Sequence, residues 1–227
     1  MATVTAPETA ASPGWLTAPY RLLIRTSLAL ALGVGFSIGL YLLLGFAFGL
    51  PLAPSTPALM QVHGQVQSLG FVALFIMAVA VQLFPRFHAS RLDRPAQVSL
   101  GGLLVALGIV LRVVGQPLLP PSTLRPALLI GSGVLELVGV LLAVHAFARV
   151  IRSGTQPRPS GWRALLPATM GISLLLALAL NVLASVELAN GSLVVPFEQD
   201  EALIHLELWG FASSMVQIGR ASCRERV

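Results

Sequence analysis

The stretch MQVHGQVQSLGFVALFIMAVAVQLFPRF runs from Met60 to Phe87. Its length and apolarity predict a helix able to cross about 30 Å of hydrocarbon at about 1.5 Å per residue. Yet its first two turns carry His63, Gln65 and Gln67. Polar groups there cost free energy unless they face other protein, so this helix should turn one side toward a bundle. Gln67 follows His63 by four residues and shares its face.

The rest of the chain fits that reading. Of 227 residues, 56% are hydrophobic and only 10% charged. A soluble domain carries roughly 25% charged residues. With a mean hydropathy of +0.84, the chain belongs to the membrane class. Every basic residue other than histidine is Arg, and the arginines sit in short connections between apolar runs. That pattern encodes membrane topology and excludes a nucleic-acid partner despite the formal charge of +5.

Six apolar runs are each long enough to span a bilayer: about 22–49, 59–84, 98–118, 127–150, 164–188 and 202 onward. Pro and Gly mark the breaks between them, as at Pro51, Pro54, Pro95, Pro120, Pro157 and Gly191. The predicted fold is an all-α, polytopic transmembrane helix bundle of about six helices. Residues 1–19 are rich in Ala, Thr and Pro and lack a signal-peptide pattern, so they are expected to form a disordered cytoplasmic tail. Residues 20–217 form the transmembrane domain, expected to be the N-terminal part of a longer protein. The last ten residues, IGRASCRERV (218–227), begin abruptly within an apolar run and resemble read-through of a sequencing adapter. They are expected to be foreign, which removes the lone Cys223 from any redox or metal argument. Without their three Arg and one Glu the formal charge falls from +5 to +3.

Arg asymmetry gives an orientation. Arg21 and Arg25 precede run one, Arg86, Arg91 and Arg94 follow run two, and Arg149, Arg152, Arg158 and Arg163 follow run four. The alternate connections hold only Arg125, and one of them is acidic, with Glu187, Glu198, Asp200 and Glu201. The positive-inside rule then places the N-terminus in the cytoplasm, as expected for a multi-pass protein of a bacterial inner membrane. In that frame His63, His205, Arg112, Gln116 and Asn181 lie in the outer half of the bilayer. Glu136 lies near the middle, and His145 toward the cytoplasmic end.

Two segments resemble each other. VQSLGFVALFIM (66–77) and LELWGFASSMV (206–216) both carry Gly-Phe after a polar residue, so Gly70-Phe71 matches Gly210-Phe211 and Gln67 matches Glu207. This suggests a four-helix unit repeated in one orientation; the alternative is chance likeness between Leu- and Gly-rich helices.

These residues also resemble the NnrS family, multi-pass bacterial membrane proteins of the nitric oxide response described as containing haem and copper. The family pattern is His-x-His-x-x-x-x-Gly-Phe, then an apolar run, Pro and a basic turn. His63, Gly70, Phe71 and Pro85 match it, with Gln65 in the second His position. In the second copy Leu203 takes the first position and His205 the second. The resemblance covers roughly residues 20–217, and each copy keeps one of the two histidines. Family members are longer, near twelve helices.

What the resemblance implies stands beside a plainer account of each residue. His63 and His205 are candidate metal or haem ligands, with Gln67 orienting His63; otherwise they are polar contacts between helices. Arg112 suits a haem propionate, or else it snorkels to the interface. Glu136, costly if charged at mid-membrane, is a proton-relay or substrate group, or a neutral carboxyl bonded to a neighbour. The chain has no P-loop, nucleophile elbow or CxxC. Three functions remain. The first is a haem- and copper-binding membrane protein linked to nitric oxide metabolism or stress. The second is a transporter or channel with Glu136 and Arg112 on its path. The third is a cofactor-free structural or assembly protein. All take the lipid bilayer as a partner, and the first implies nitric oxide or a related small molecule.

Overall fold

The computed structural model of the chain describes residues 18–155 and 165–218. They form six helices and, among the described residues, no strand. Helix α1 spans Pro19–Phe48, α2 Thr56–Phe87, α3 Pro95–Leu118 and α4 Leu124–Ser153. Helix α5 spans Leu165–Ala189, and α6 covers 197–218. Five of them, α1 to α5, are long and apolar enough to cross a membrane, so the chain is an all-α multi-pass bundle. The sixth is more polar, with Glu198, Asp200, Glu201 and Glu207 in its first three turns. It begins earlier than its apolar run because Pro196 sets the entry and Glu198 and Asp200 lie in the first turn, where acidic groups favour the helix dipole. The expected tail at residues 1–17 and the expected foreign residues 219–227, with Cys223, lie outside the described residues, as do Arg158 and Arg163.

Local chemistry sets the helix ends. Pro57 and Pro95 occupy the first turns of α2 and α3, where a missing N–H costs nothing. Gly49 at φ 61° ends α1 and Gly191 at φ 111° follows α5, conformations that only glycine adopts readily.

The buried faces meet in one core. Leu23 and Leu30 of α1, Val66 and Leu74 of α2, Ile109 of α3 and Val140 of α4 belong to it. Leu32, Phe36, Phe48, Leu175 and Leu183 point outward, as lipid-facing residues do. With no hydrophobic drive between helices in lipid, close packing holds them, and glycine permits it. A Cβ on Gly101 of α3 would come within 2.5 Å of the Gly139 carbonyl oxygen on α4, and one on Gly108 within 2.6 Å of Glu136 Cγ.

Among the described residues, four helices open into π-helical turns, at Leu30–Phe36, Val66–Ala73, Val114–Leu118 and Leu206–Ser213. The second and fourth fall on VQSLGFVA and LELWGFAS, residue for residue the two segments that resemble each other. The two like segments thus share a backbone irregularity at the same register.

Candidate functional site

Four apolar helices each carry a polar pair spaced i, i+4: Gln61 and Gln65 on α2, Arg112 and Gln116 on α3, Ser132 and Glu136 on α4, Asn181 and Ser185 on α5. That spacing puts both members on one helix face. The bundle turns these faces toward each other.

Glu136 lies at the centre, with no exposed surface. Gly108 on α3 leaves room for its side chain. Its Oε2 accepts from Asn181 Nδ2 at 2.6 Å and from Gln65 Nε2 at 2.9 Å. Its Oε1 accepts from Ser132 Oγ at 2.9 Å. Arg112, 2% exposed, does not pair with Glu136 directly. Its Nη1 donates to Asn181 Oδ1 at 2.9 Å and its Nε to Gln116 Oε1 at 3.2 Å. The Asn181 carboxamide therefore stands between the two charges, its oxygen toward the cation and its nitrogen toward the carboxylate. Gln65 Nε2 also reaches Asn181 Oδ1, at 3.2 Å.

The network continues to the loop between α5 and α6. Gln116 Nε2 donates to Gln61 Oε1 at 3.0 Å. Gln61 then pairs with the Val195 backbone in both directions, accepting its N–H at 2.9 Å and donating to its carbonyl at 2.7 Å. Arg125, read from the sequence as a topology residue, is buried instead. It donates to the Gly115 carbonyl at 3.1 Å and the Ser192 carbonyl at 2.9 Å. Gly115 lies in the π-helical turn of α3, where the regular ladder is broken.

The other candidates stand apart. His63 is half-buried against α1: its Nδ1 meets the Gly35 carbonyl at 2.9 Å, and a Cβ on Gly39 would lie 2.8 Å from its Cε1. Gln67 shares that face, as its spacing implied, with its amide against Gly35. The ring is thus held by a backbone carbonyl and not by Gln67. His205 is exposed and its Nδ1 bonds the Glu201 carbonyl of its own helix at 2.8 Å. The structure does not bring His63 and His205 to one cavity, for a reason of register. His63 stands seven residues before its Gly-Phe and His205 five, a difference of about 200° around a helix at about 3.6 residues per turn. Arg112 belongs to the buried network and not to the His63 face. His145 is exposed. His88 packs edge-on against Phe84 at 6.2 Å, and burial holds its imidazole below the ordinary value.

Among the described residues no group of three or more His, Cys, Asp or Glu could hold a metal ion. A bis-histidine haem between His63 and His205 does not fit this arrangement. Ligation by one histidine does, because a carbonyl partner requires the proton on Nδ1 and leaves the Nε2 lone pair for a metal, the usual pattern of ligating histidines.

Sequence reasoning placed Asn181 only by depth, gave Gln61 and Ser132 no role, and read Glu207 only as the counterpart of Gln67. The Glu207 carboxyl is buried and bonded to Ser68 Oγ of α2.

Fold and site together define a multi-pass helical membrane protein with a buried polar network joining four of its helices. Comparison with protein-family models, curated proteins and solved structures returned no match.

Proposed function

We propose that this chain is a haem- or copper-binding membrane protein linked to nitric oxide chemistry, with His63 as a ligand. The observation that carries the reading is the fixed imidazole of His63, its Nδ1 held by the Gly35 carbonyl over the glycine-lined face of α1. Immediately after it, α2 opens into a π-helical turn, a feature frequent at functional sites. Bound haem iron or copper would supply the nitric oxide and redox chemistry; the chain's part is to fix the ring and shield it from water. The NnrS resemblance supports the same reading, as does the Arg asymmetry for an inner-membrane protein with a cytoplasmic N-terminus.

The test is an absorption spectrum and metal analysis of the protein purified in detergent. A Soret band or stoichiometric copper that His63→Ala removes is the expected result. Cofactor content unchanged by His63→Ala would overturn the assignment.

A second reading has its own observation. Arg112 and Glu136, the two groups named for a transport path, lie in one network that reaches the α5–α6 loop. Substrate-dependent flux in vesicles, abolished by Glu136→Gln, would favour it.

A further inference from the structure

We propose that Glu207 and Ser68 form a proton-binding site at the seam between α2 and α6, in which Glu207 is a carboxylic acid while Glu136 is the ionised partner of Arg112.

The hydrogen bonds distinguish the two carboxyls. Glu136 receives three bonds, two of them from carboxamide nitrogens, which only donate. Its Oε2 can therefore only accept, and the Arg112 guanidinium lies one carboxamide away, an arrangement that favours the ionised carboxylate. Glu207 has one partner, the Ser68 hydroxyl, which accepts as readily as it donates. A protonated Glu207 can donate to Ser68 Oγ and leave no charge uncompensated. An ionised Glu207 would be a buried charge with a single hydrogen bond, a costly state in a low-dielectric interior.

The surrounding charges agree. Those acting on Glu207 are Arg112 on α3, Glu136 on α4 and Asp200 on its own helix. Arg112 bonds Gln116 and Asn181 rather than any carboxylate, so an ionised Glu207 has no directly paired cation. The other buried guanidinium, Arg125, is held by two carbonyls near the α5–α6 loop and is not among the charges that act on Glu207. The repeat gives an independent sign. The position equivalent to Glu207 in α2 is Gln67, a neutral side chain of the same shape. One copy places a carboxamide at this register and the other a carboxyl, which matches it in charge only when protonated.

Loss of the proton would set a second carboxylate against the field of Glu136, with the Ser68 hydroxyl as its one hydrogen-bond donor. The folded chain therefore holds a proton that the unfolded chain releases, and its stability falls as pH rises.

Infrared spectroscopy of the purified protein, with hydrogen–deuterium exchange to mark carboxyl bands, tests this directly. The wild type at neutral pH should show a protonated-carboxyl stretch that Glu207→Gln removes and Glu136→Gln leaves. SDS-induced unfolding gives a second measure: Glu207→Gln should match the wild type at acid pH, where both states are protonated, and should lack the wild type's decline in stability as pH rises from the ordinary carboxyl range toward neutrality. A protonated-carboxyl band that survives Glu207→Gln, or an acid-to-neutral decline unchanged in that variant, would overturn the proposal.

Discussion

Helices α2 and α6 run the same way through the bundle and open into π-helical turns at the same register, yet they face different surroundings. On α2 the side five residues before Gly-Phe is covered: Gln65 reaches Glu136 and Asn181, and Leu69 is 4% exposed. On α6 the same side carries the exposed His205 and Trp209, the latter 70% exposed. On the other side His63 and Gln67 lie against the glycines of α1, whereas Glu207, the counterpart of Gln67, bonds Ser68 of α2 and Gly210 lies against Ser173 of α5. Only the first copy has the side of Gln65 filled. The like sequences thus share where the π-helical turn falls, while the role of each polar residue follows from what covers it.

Substitutions can break that comparison. The largest effect should come at the centre that α2 touches and α6 does not. Arg112→Leu strands the Glu136 carboxylate and should cost about 3–5 kcal/mol, read from SDS-induced unfolding in mixed micelles. Adding Glu136→Gln to that variant should recover part of the loss; no recovery would mean the two charges do not balance each other. A smaller contrast separates the register-equivalent pair. Gln65→Leu removes a hydrogen bond to a charged group and should cost about 1.5–3 kcal/mol, whereas His205→Leu on the bare face should stay within about 0.5 kcal/mol. Equal losses would erase the distinction between the two copies. The finest test uses the paired glycines. A Cβ on Gly210 would collide with the Ser173 side chain, while one on Gly70 first meets Ile109 Cδ1 at 3.2 Å. Gly210→Ala should therefore cost about 1–3 kcal/mol and Gly70→Ala less, with Ser173→Gly restoring the Gly210 variant.

Much of the fold was legible because lipid imposes a simple rule: long apolar runs become helices, and Pro and Gly separate them. The matching Gly-Phe segments also marked a register that α2 and α6 share. The π-helical turns themselves were not legible, since residues such as Val66 or Leu206 carry no local signature of an i→i+5 ladder. The network was half visible. Glu136, Arg112 and Gln116 stood out as polar groups in apolar runs, and four i, i+4 pairs were there to be counted. Their mutual contact depends on helix rotation, which a single helix does not specify. Asn181 looked ordinary because its importance lies in touching both charges at once. Arg125 misled because an arginine in a short connection reads the same whether it marks orientation or is buried beneath the neighbouring loop.

The close approach of Gly101 and Gly139 bears on how the chain is built. Helices α3 and α4 are joined by five residues, 119–123, and touch backbone to backbone at these glycines. Such a pair has no side chains to interlock later and little room to slide, so it suits insertion as a preformed hairpin during synthesis. That hairpin already carries Arg112 and Glu136. Both charges would enter the bilayer together, each sheltering the other before Asn181 on α5 arrives to stand between them.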